Sequence, residues 1–294
     1  MNQTWRSQTA MWVSLAIVTA IGFAASNSYA KALSARAHVF TVTWAMMFLS
    51  LPWALLMLWA GGLPEVEPSF YAAALGSVAL NMIAVTLQVK ALSVSPLSLT
   101  VPFLALTPLF MLVTSVVMLG ETPDVKGLAG IVLIAVGGYT IHLEKARGGI
   151  LAPLKAIGQE KGSALMLLVA FIWSWAATLD KLAVLRSSPA FYTSFFAVAF
   201  GVLYSPLLVI GLRKRPLERR QVPRLFLLGA FSAVMILSQM SAIELTIASY
   251  VIAIKRAGAV LAVLMGYLYY RERNLLPRLA GAVLMTLGVV LISL

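Results

Sequence analysis

Ten apolar runs, at residues 10–30, 39–60, 70–90, 98–119, 127–143, 163–182, 190–212, 225–243, 249–270 and 279–294, occupy most of this 294-residue chain. A helix needs about 20 such residues to cross a hydrocarbon core about 30 Å thick. The runs at 127–143 and 279–294 are short and cross only with little tilt. With 61% hydrophobic and 11% charged residues, the chain carries more apolar surface than a soluble domain of its size buries. Lipid must therefore solvate much of it. The expected fold is an all-α membrane protein of ten transmembrane helices, with no water-soluble domain beside them.

The first run has an Arg at position 6, an apolar stretch from Met11 and small residues at Ser28 and Ala30, features shared with a cleaved signal. Cleavage there would leave nine runs and break the symmetry described next, so it is read as a retained span. Cysteine is absent, which removes disulfides and thiolate chemistry. The net charge of +12 suggests nucleic acid, but most Lys and Arg sit in short loops between apolar runs, and no basic domain stands apart.

The two halves repeat. Shifted by 151 positions, "ETPDVKGLAGIVLIAVGGYTI" from Glu121 falls on "ERNLLPRLAGAVLMTLGVVLI" from Glu272. Gly130 then meets Gly281, Gly137 meets Gly288, Gln88 meets Gln239 and Ala91 meets Ala242. A shift of 150 pairs Lys31 with Lys181 and Arg36 with Arg186. The expected organisation is one five-helix repeat over 1–143, a Gly/Pro-punctuated polar linker over 144–162 and a second repeat over 163–294. Five is odd, so equivalent helices run in opposite directions, giving an inverted-topology repeat of the kind secondary transporters use.

Charge bias orients the chain. Sixteen cations fall on the side opposite the N-terminus, six of them in "RKRPLERRQVPR" (Arg213 to Arg224), against four on the N-terminal side. The cation-rich side is expected to be cytoplasmic, with both termini outside, in a bacterial inner (plasma) membrane.

Each half closes with Gly-Glu or Arg-Glu, a short polar turn and an L-A-G helix. In "PFLALTPLFMLVTSVVMLGETPDVKGLAGIVLIAVGGYTI" (Pro102 to Ile141) and "IKRAGAVLAVLMGYLYYRERNLLPRLAGAVLMTLGVVLI" (Ile254 to Ile292) this pattern resembles the drug/metabolite transporter superfamily, and more narrowly the EamA-type transporters. The resemblance implies a helical bundle around a central cavity, lined by the first, third and fourth helices of each half and gated by helix rocking without ATP. It does not select a substrate, because that superfamily moves amino acids, amines, nucleotide sugars, sugar phosphates and drugs.

Lys255 and Arg256 stand side by side inside the ninth run. Each intramembrane ion costs about 2.5–3.5 kcal/mol on insertion scales. The first half has Leu104 and Ala105 at the equivalent positions, so the duplicated scaffold is asymmetric here. The pair could snorkel to the interface, could pair with Glu244, or could bind a carboxylate or phosphate. Plastid sugar-phosphate translocators of the same superfamily hold phosphate with an adjacent Lys-Arg pair on this helix, which the "IKRAG" here resembles. The third cation of that site has no clear counterpart in the fourth helix, whose polar residues are Thr100 and Thr107.

Further candidate substrate contacts are Lys181, Asn27, Tyr29, Gln88, Trp175, Gln239 and Tyr250. Hydrogen bonding between helices, worth about 0.6 kcal/mol on average, is the bland alternative for the polar ones. Packing or interfacial belts is the alternative for the tryptophans. Asp180 and Glu244 are candidates for proton coupling or ion pairing, since a carboxylate desolvated by lipid can titrate near neutral pH. Pro102 and Pro108 bracket a stretch of the fourth helix and mark it as a gate. Gly258, Ala262 and Gly266 form a small-residue packing stripe. Glu121 and Glu272 are expected to favour the dipole of the helix each precedes.

The leading reading is a secondary transporter for a small, anionic or zwitterionic solute in a lipid bilayer, with a coupling proton and no cofactor. The alternative is an amino-acid or amine/drug exporter with Lys255 and Arg256 in internal ion pairs. An embedded enzyme would need clustered acid/base or ligand residues, yet His38 and His142 are remote from each other and no HExxH or Walker loop is present.

Overall fold

The computed structural model describes residues 3–94, 101–143, 161–258 and 276–294. Residues 144–160 of the expected linker, Thr100, Ala262, Gly266 and Glu272 lie outside the described residues, as do the side chains of Ser28, Lys31, Pro102 and His142. Among the described residues all regular structure is helical. The α-helices are α1 (Gln3–Ser34), α2 (Val39–Phe48), α3 (Leu51–Gly61), α4 (Ser69–Val94), α5 (Thr107–Leu119) and α6 (Val125–Leu143). They continue with α7 (Lys161–Leu185), α8 (Pro189–Leu203), α9 (Ser205–Lys214), α10 (Val222–Leu245), α11 (Ala248–Ala257) and α12 (Leu276–Ser293). Short 3-10 turns at Val101–Leu106 and Arg219–Gln221 precede α5 and α10.

Among the described residues, five segments are long and apolar enough to span a membrane: Gln8–Ser34, Val39–Gly61, Ser69–Gln88, Lys161–Leu185 and Arg219–Leu245. A sixth is added if α8 and α9, bent by 55° at their junction, count as one. The apolar helices Phe103–Leu119, Val125–Thr140 and Ala280–Ser293 are shorter.

Single helices are expected at 39–60 and 190–212, but each is divided. Pro52 stands in the first turn of α3 and Pro206 in the first turn of α9. Proline lacks the N–H that continues a helix and its ring clashes with the carbonyl one turn back, so it is tolerated only where a helix starts. The entries to these segments also correspond. His38 Nδ1 accepts the Phe40 amide before α2, and Ser188 Oγ accepts the Phe191 amide before α8. His38 and Ser188 are 150 positions apart, the offset of the sequence repeat. The fourth run is also composite: the 3-10 turn comes first, and Pro108 then lies in the first turn of α5. Gly120 ends α5 at φ 68°, a left-handed cap that a side chain would strain.

The chain forms two compact units, 1–13 with 79–178 and 246–294, and 14–78 with 179–245. In the first unit, α6 and α12 pack antiparallel through glycines. A Cβ on Gly130 would lie 2.6 Å from the Gly288 carbonyl oxygen, and a Cβ on Gly288 would lie 2.6 Å from that of Gly130. A Cβ on Gly137 would lie 2.6 Å from the Gly281 carbonyl oxygen. The 151-residue shift carries Gly130 to Gly281 and Gly137 to Gly288, so it maps these contacts onto one another, as a local two-fold axis would. Small residues let the two backbones approach to this distance. Elsewhere in the unit, Phe103 packs with Ala84, Ala91, Met166 and Val169. The Thr114 hydroxyl donates to the Ser174 carbonyl at 3.3 Å and lies 3.0 Å from that of Thr178.

In the second unit, Leu33, Ala37, Val42, Ala45, Leu225 and Leu228 form a core. Trp44 Nε1 donates to the Gly201 carbonyl at 2.9 Å, and the Thr19 and Ser238 hydroxyls lie 2.9 Å apart. Ser238 and Thr178 bond both another helix and the carbonyl four residues back on their own, whereas Asn27 and Thr86 bond the carbonyl four residues back.

Candidate functional site

Helix α11 carries the adjacent cations, and the loop between α5 and α6 fixes its start. Glu121 Oε2 accepts the Ala248 amide at 3.2 Å, meeting one of the free N–H groups of the first turn. Glu121 therefore serves the N-terminus of α11. Two residues on, the Tyr250 hydroxyl donates to Asp124 Oδ1 at 2.9 Å. Asp124 also caps α6: Oδ1 accepts the Gly127 amide at 2.9 Å and its carbonyl accepts the Leu128 amide at 2.9 Å. The Gly127 amide, then the Tyr250 hydroxyl, hold the Asp124 carboxyl below its ordinary range. Glycine is required at 127 because a Cβ would collide with the Tyr250 hydroxyl. The Tyr250 ring lies beside Trp12, with centroids 6.2 Å apart and planes tilted by 32°.

From that anchored end, Arg256 lies about 12 Å along the axis, at 1.5 Å per residue. Its Nη2 donates to the Thr107 hydroxyl at 3.2 Å, and its guanidinium carbon lies 5.4 Å from the centroid of Trp173. The Thr107 hydroxyl in turn donates to the Leu104 carbonyl at 2.8 Å, which leaves an oxygen lone pair for Arg256. The start of α5, directly after the 3-10 turn, thus places a hydroxyl against the cation. Lys255 is half-buried and diverges by about 100° around the helix. The two cations do not share one direction.

Gln88 and Trp175 belong to the same unit and are half-buried. Trp173, two residues earlier on α7, supplies the ring beneath Arg256, while Trp175 meets Phe171 edge-on at 6.3 Å. Residues two apart on a helix point about 200° apart, so one tryptophan excludes the other. Pro108 is buried beside Thr107.

In the second unit, Asp180 on α7 is 7% exposed and accepts hydrogen bonds from the Ser77 hydroxyl of α4 and the Tyr192 hydroxyl of α8. The Tyr192 and Ser77 hydroxyls are 3.3 Å apart, and both residues are buried. Lys181 is 6% exposed. The rim of this group carries the ion pair of Arg186 with Glu67 at 3.8 Å, and the Glu67 amide donates to the Arg186 carbonyl at 3.2 Å. Gln239 is buried on α10, and Glu244 is exposed near that helix's end. Asn27 is exposed, with its side chain donating to the Phe23 carbonyl at 2.8 Å, and Tyr29 meets Phe231 edge-on at 5.7 Å.

Ser77 and Tyr192 were not singled out from the sequence, nor was the joint role of Thr107 and Trp173. Their signal is only that polar and aromatic residues recur in apolar runs, which does not say who meets whom.

The sequence profile of the EamA-like transporter family matches residues 10–142 and again residues 160–294. The chain belongs to the EamA-like transporter family. As a member of that family it is an integral membrane transporter with a small-molecule substrate, built from two copies of the family's repeat. A solved structure titled only "Crystal structure of protein" has the same fold, at 14% identity and a TM-score of 0.75, over 97% of this chain and 96% of that one. No curated protein matches the chain.

Proposed function

We propose that this EamA-family chain is a secondary transporter for a small polar metabolite bearing a carboxylate or phosphate, with Arg256 as its principal anion contact. One observation carries the reading. The guanidinium is oriented by a hydroxyl and a ring face. A planar guanidinium so oriented is suited to paired hydrogen bonds with a carboxylate or phosphate. Lys255, one position away, adds positive potential, and Tyr250 fixes the end of the same helix. Gln88 and Trp175 of the same unit are secondary candidates, with Pro102 and Pro108 at the composite start of α5 as gating positions.

Transport proceeds by alternating access through ten spans arranged as inverted repeats at 1–143 and 163–294, joined by 144–162. The antiparallel, symmetry-related packing of α6 and α12 supports this arrangement. So do the loop pairs. The loop at 120–124 bonds the start of α11, Glu67 bonds Arg186, and the Gln221 side chain donates to the Arg36 carbonyl at 3.0 Å. Each pair joins segments that a ten-span count puts on one side of the membrane. With the side of Arg213 to Arg224 cytoplasmic, both termini face outward across a bacterial plasma membrane.

Asp180 is the coupling carboxylate. Its burial gives it the desolvated setting that proton exchange needs and two hydroxyls orient it, whereas Glu244 is exposed. Lys181 beside it is the cation that would respond to its charge.

The test is uptake into proteoliposomes of labelled carboxylates, phosphate esters, amino acids and amines. Saturable uptake of an anionic member, competed by other anions and not by amines, is expected. Saturable uptake of amines alone would instead establish the amine exporter and end the anion-site reading.

A further inference from the structure

The turn between α9 and α10 concentrates charge beyond what orientation of the chain requires. Arg213, Lys214, Arg215, Arg219, Arg220 and Arg224 fall within twelve residues, and all six are exposed. The single acid among them, Glu218, has its carboxylate engaged by the Gln221 amide in a capping box. Among the described residues none of the six forms an ion pair. The Gln221 side chain ties this turn to the Arg36 carbonyl at 3.0 Å, bringing a seventh exposed cation to the same place. The field of Lys214 and Arg215 reaches His38, whose imidazole is held below its ordinary value by burial and then by these two charges.

Apolar surface begins within one helical turn of the cations. Val209 and Ile210 on α9, and Phe226 and Leu227 on α10, are exposed. A molecule that matches both features has a phosphate at the rim and a hydrocarbon tail below it. We infer that the 213–224 turn is a docking site for the phosphate headgroups of anionic lipids, whose acyl chains lie along Phe226 and Ile210. A juxtamembrane cation contributes enough attraction to an anionic leaflet to change binding roughly five-fold. An orienting charge bias needs cations only somewhere near the span ends. A lipid site needs them clustered, exposed and next to exposed apolar side chains, as they are here.

The experiment is native mass spectrometry of the full-length protein released from micelles containing equimolar phosphatidylglycerol and phosphatidylcholine. Wild type is expected to retain phosphatidylglycerol over phosphatidylcholine by tenfold or more. R219Q/R220Q/R224Q is expected to lose most of that preference, and R219K/R220K/R224K to keep it. Equal retention of the two lipids by wild type would overturn the site without recourse to any variant. An unchanged preference in the glutamine variant would overturn its location. Displacement of the lipid by millimolar inorganic phosphate, at the efficiency of phosphatidylglycerol itself, would make it a site for soluble phosphate and overturn the lipid assignment.

Discussion

Gly130 and Gly288 face each other across α6 and α12 so that a Cβ on either would lie 2.6 Å from the other's carbonyl oxygen. The repeat relation makes Gly281 and Gly137 their counterparts, and those two also meet. Because a backbone oxygen cannot rotate away as a side chain can, an added methyl must push the helices apart. G130A and G288A are each expected to lower stability by about 1–3 kcal/mol. Thermal unfolding in detergent checks this, and the symmetry, which carries Gly137 onto Gly288, predicts similar losses for G137A and G288A. A large loss in one and none in the other would contradict the two-fold packing.

Trp173 supports the guanidinium of Arg256 from 5.4 Å. A desolvated cation–π contact is worth about 2 kcal/mol, and an exposed one about 0.5–1. W173A is expected to raise KM for the transported anion roughly three- to thirty-fold, with W173F between it and wild type. W175A, whose ring meets Phe171, is expected to change KM less. The comparison is made by initial-rate uptake.

Asp180 joins α4, α7 and α8 through Ser77 and Tyr192. D180N keeps a carbonyl that can accept from both hydroxyls, so the protein is expected to fold. It cannot exchange a proton. Accumulation driven by a pH gradient is therefore expected to fall at least tenfold, while counterflow exchange persists. Gradient-driven accumulation at the wild-type level in D180N would leave Asp180 a structural residue only.

Asp124 gives a pH signature at the N-terminal end of α11. Its carboxyl is held below the ordinary value of 3.8 by the Gly127 amide and the Tyr250 hydroxyl. A depressed carboxyl stabilises the folded state above the unfolded value, and that contribution disappears as pH falls through the folded one. D124A should lose the cap, about 1 kcal/mol, and the Tyr250 tether near neutral pH. Wild type and D124A should converge as pH falls below about 4. Melting temperature against pH measures the difference.

Apolar runs, their repetition and the lone Lys255–Arg256 pair were legible in the sequence because each is a local pattern or a copy of one. The rotation of each helix was not. A soluble helix advertises its buried face by an apolar stripe, but here lipid accepts the outer face too, and the choice between Trp173 and Trp175 left no trace. Contacts over long separations were equally silent. Ser77 and Asp180 are 103 residues apart, and the acceptor for the Ala248 amide is Glu121. The divisions at Pro52 and Pro206 were readable in principle, since proline ends or starts a helix wherever it falls. They were obscured because the apolar character continues through them.

Transport by Arg256 variants shows whether this guanidinium binds the transported anion. Once an anionic substrate is identified by uptake, R256Q, R256K and wild type are compared in proteoliposomes at matched protein and matched melting temperature. The account predicts that R256Q loses at least tenfold in kcat/KM for the anion and that R256K recovers part of it, since lysine restores the charge but not the planar fork. Wild-type kcat/KM in a folded R256Q protein would contradict it.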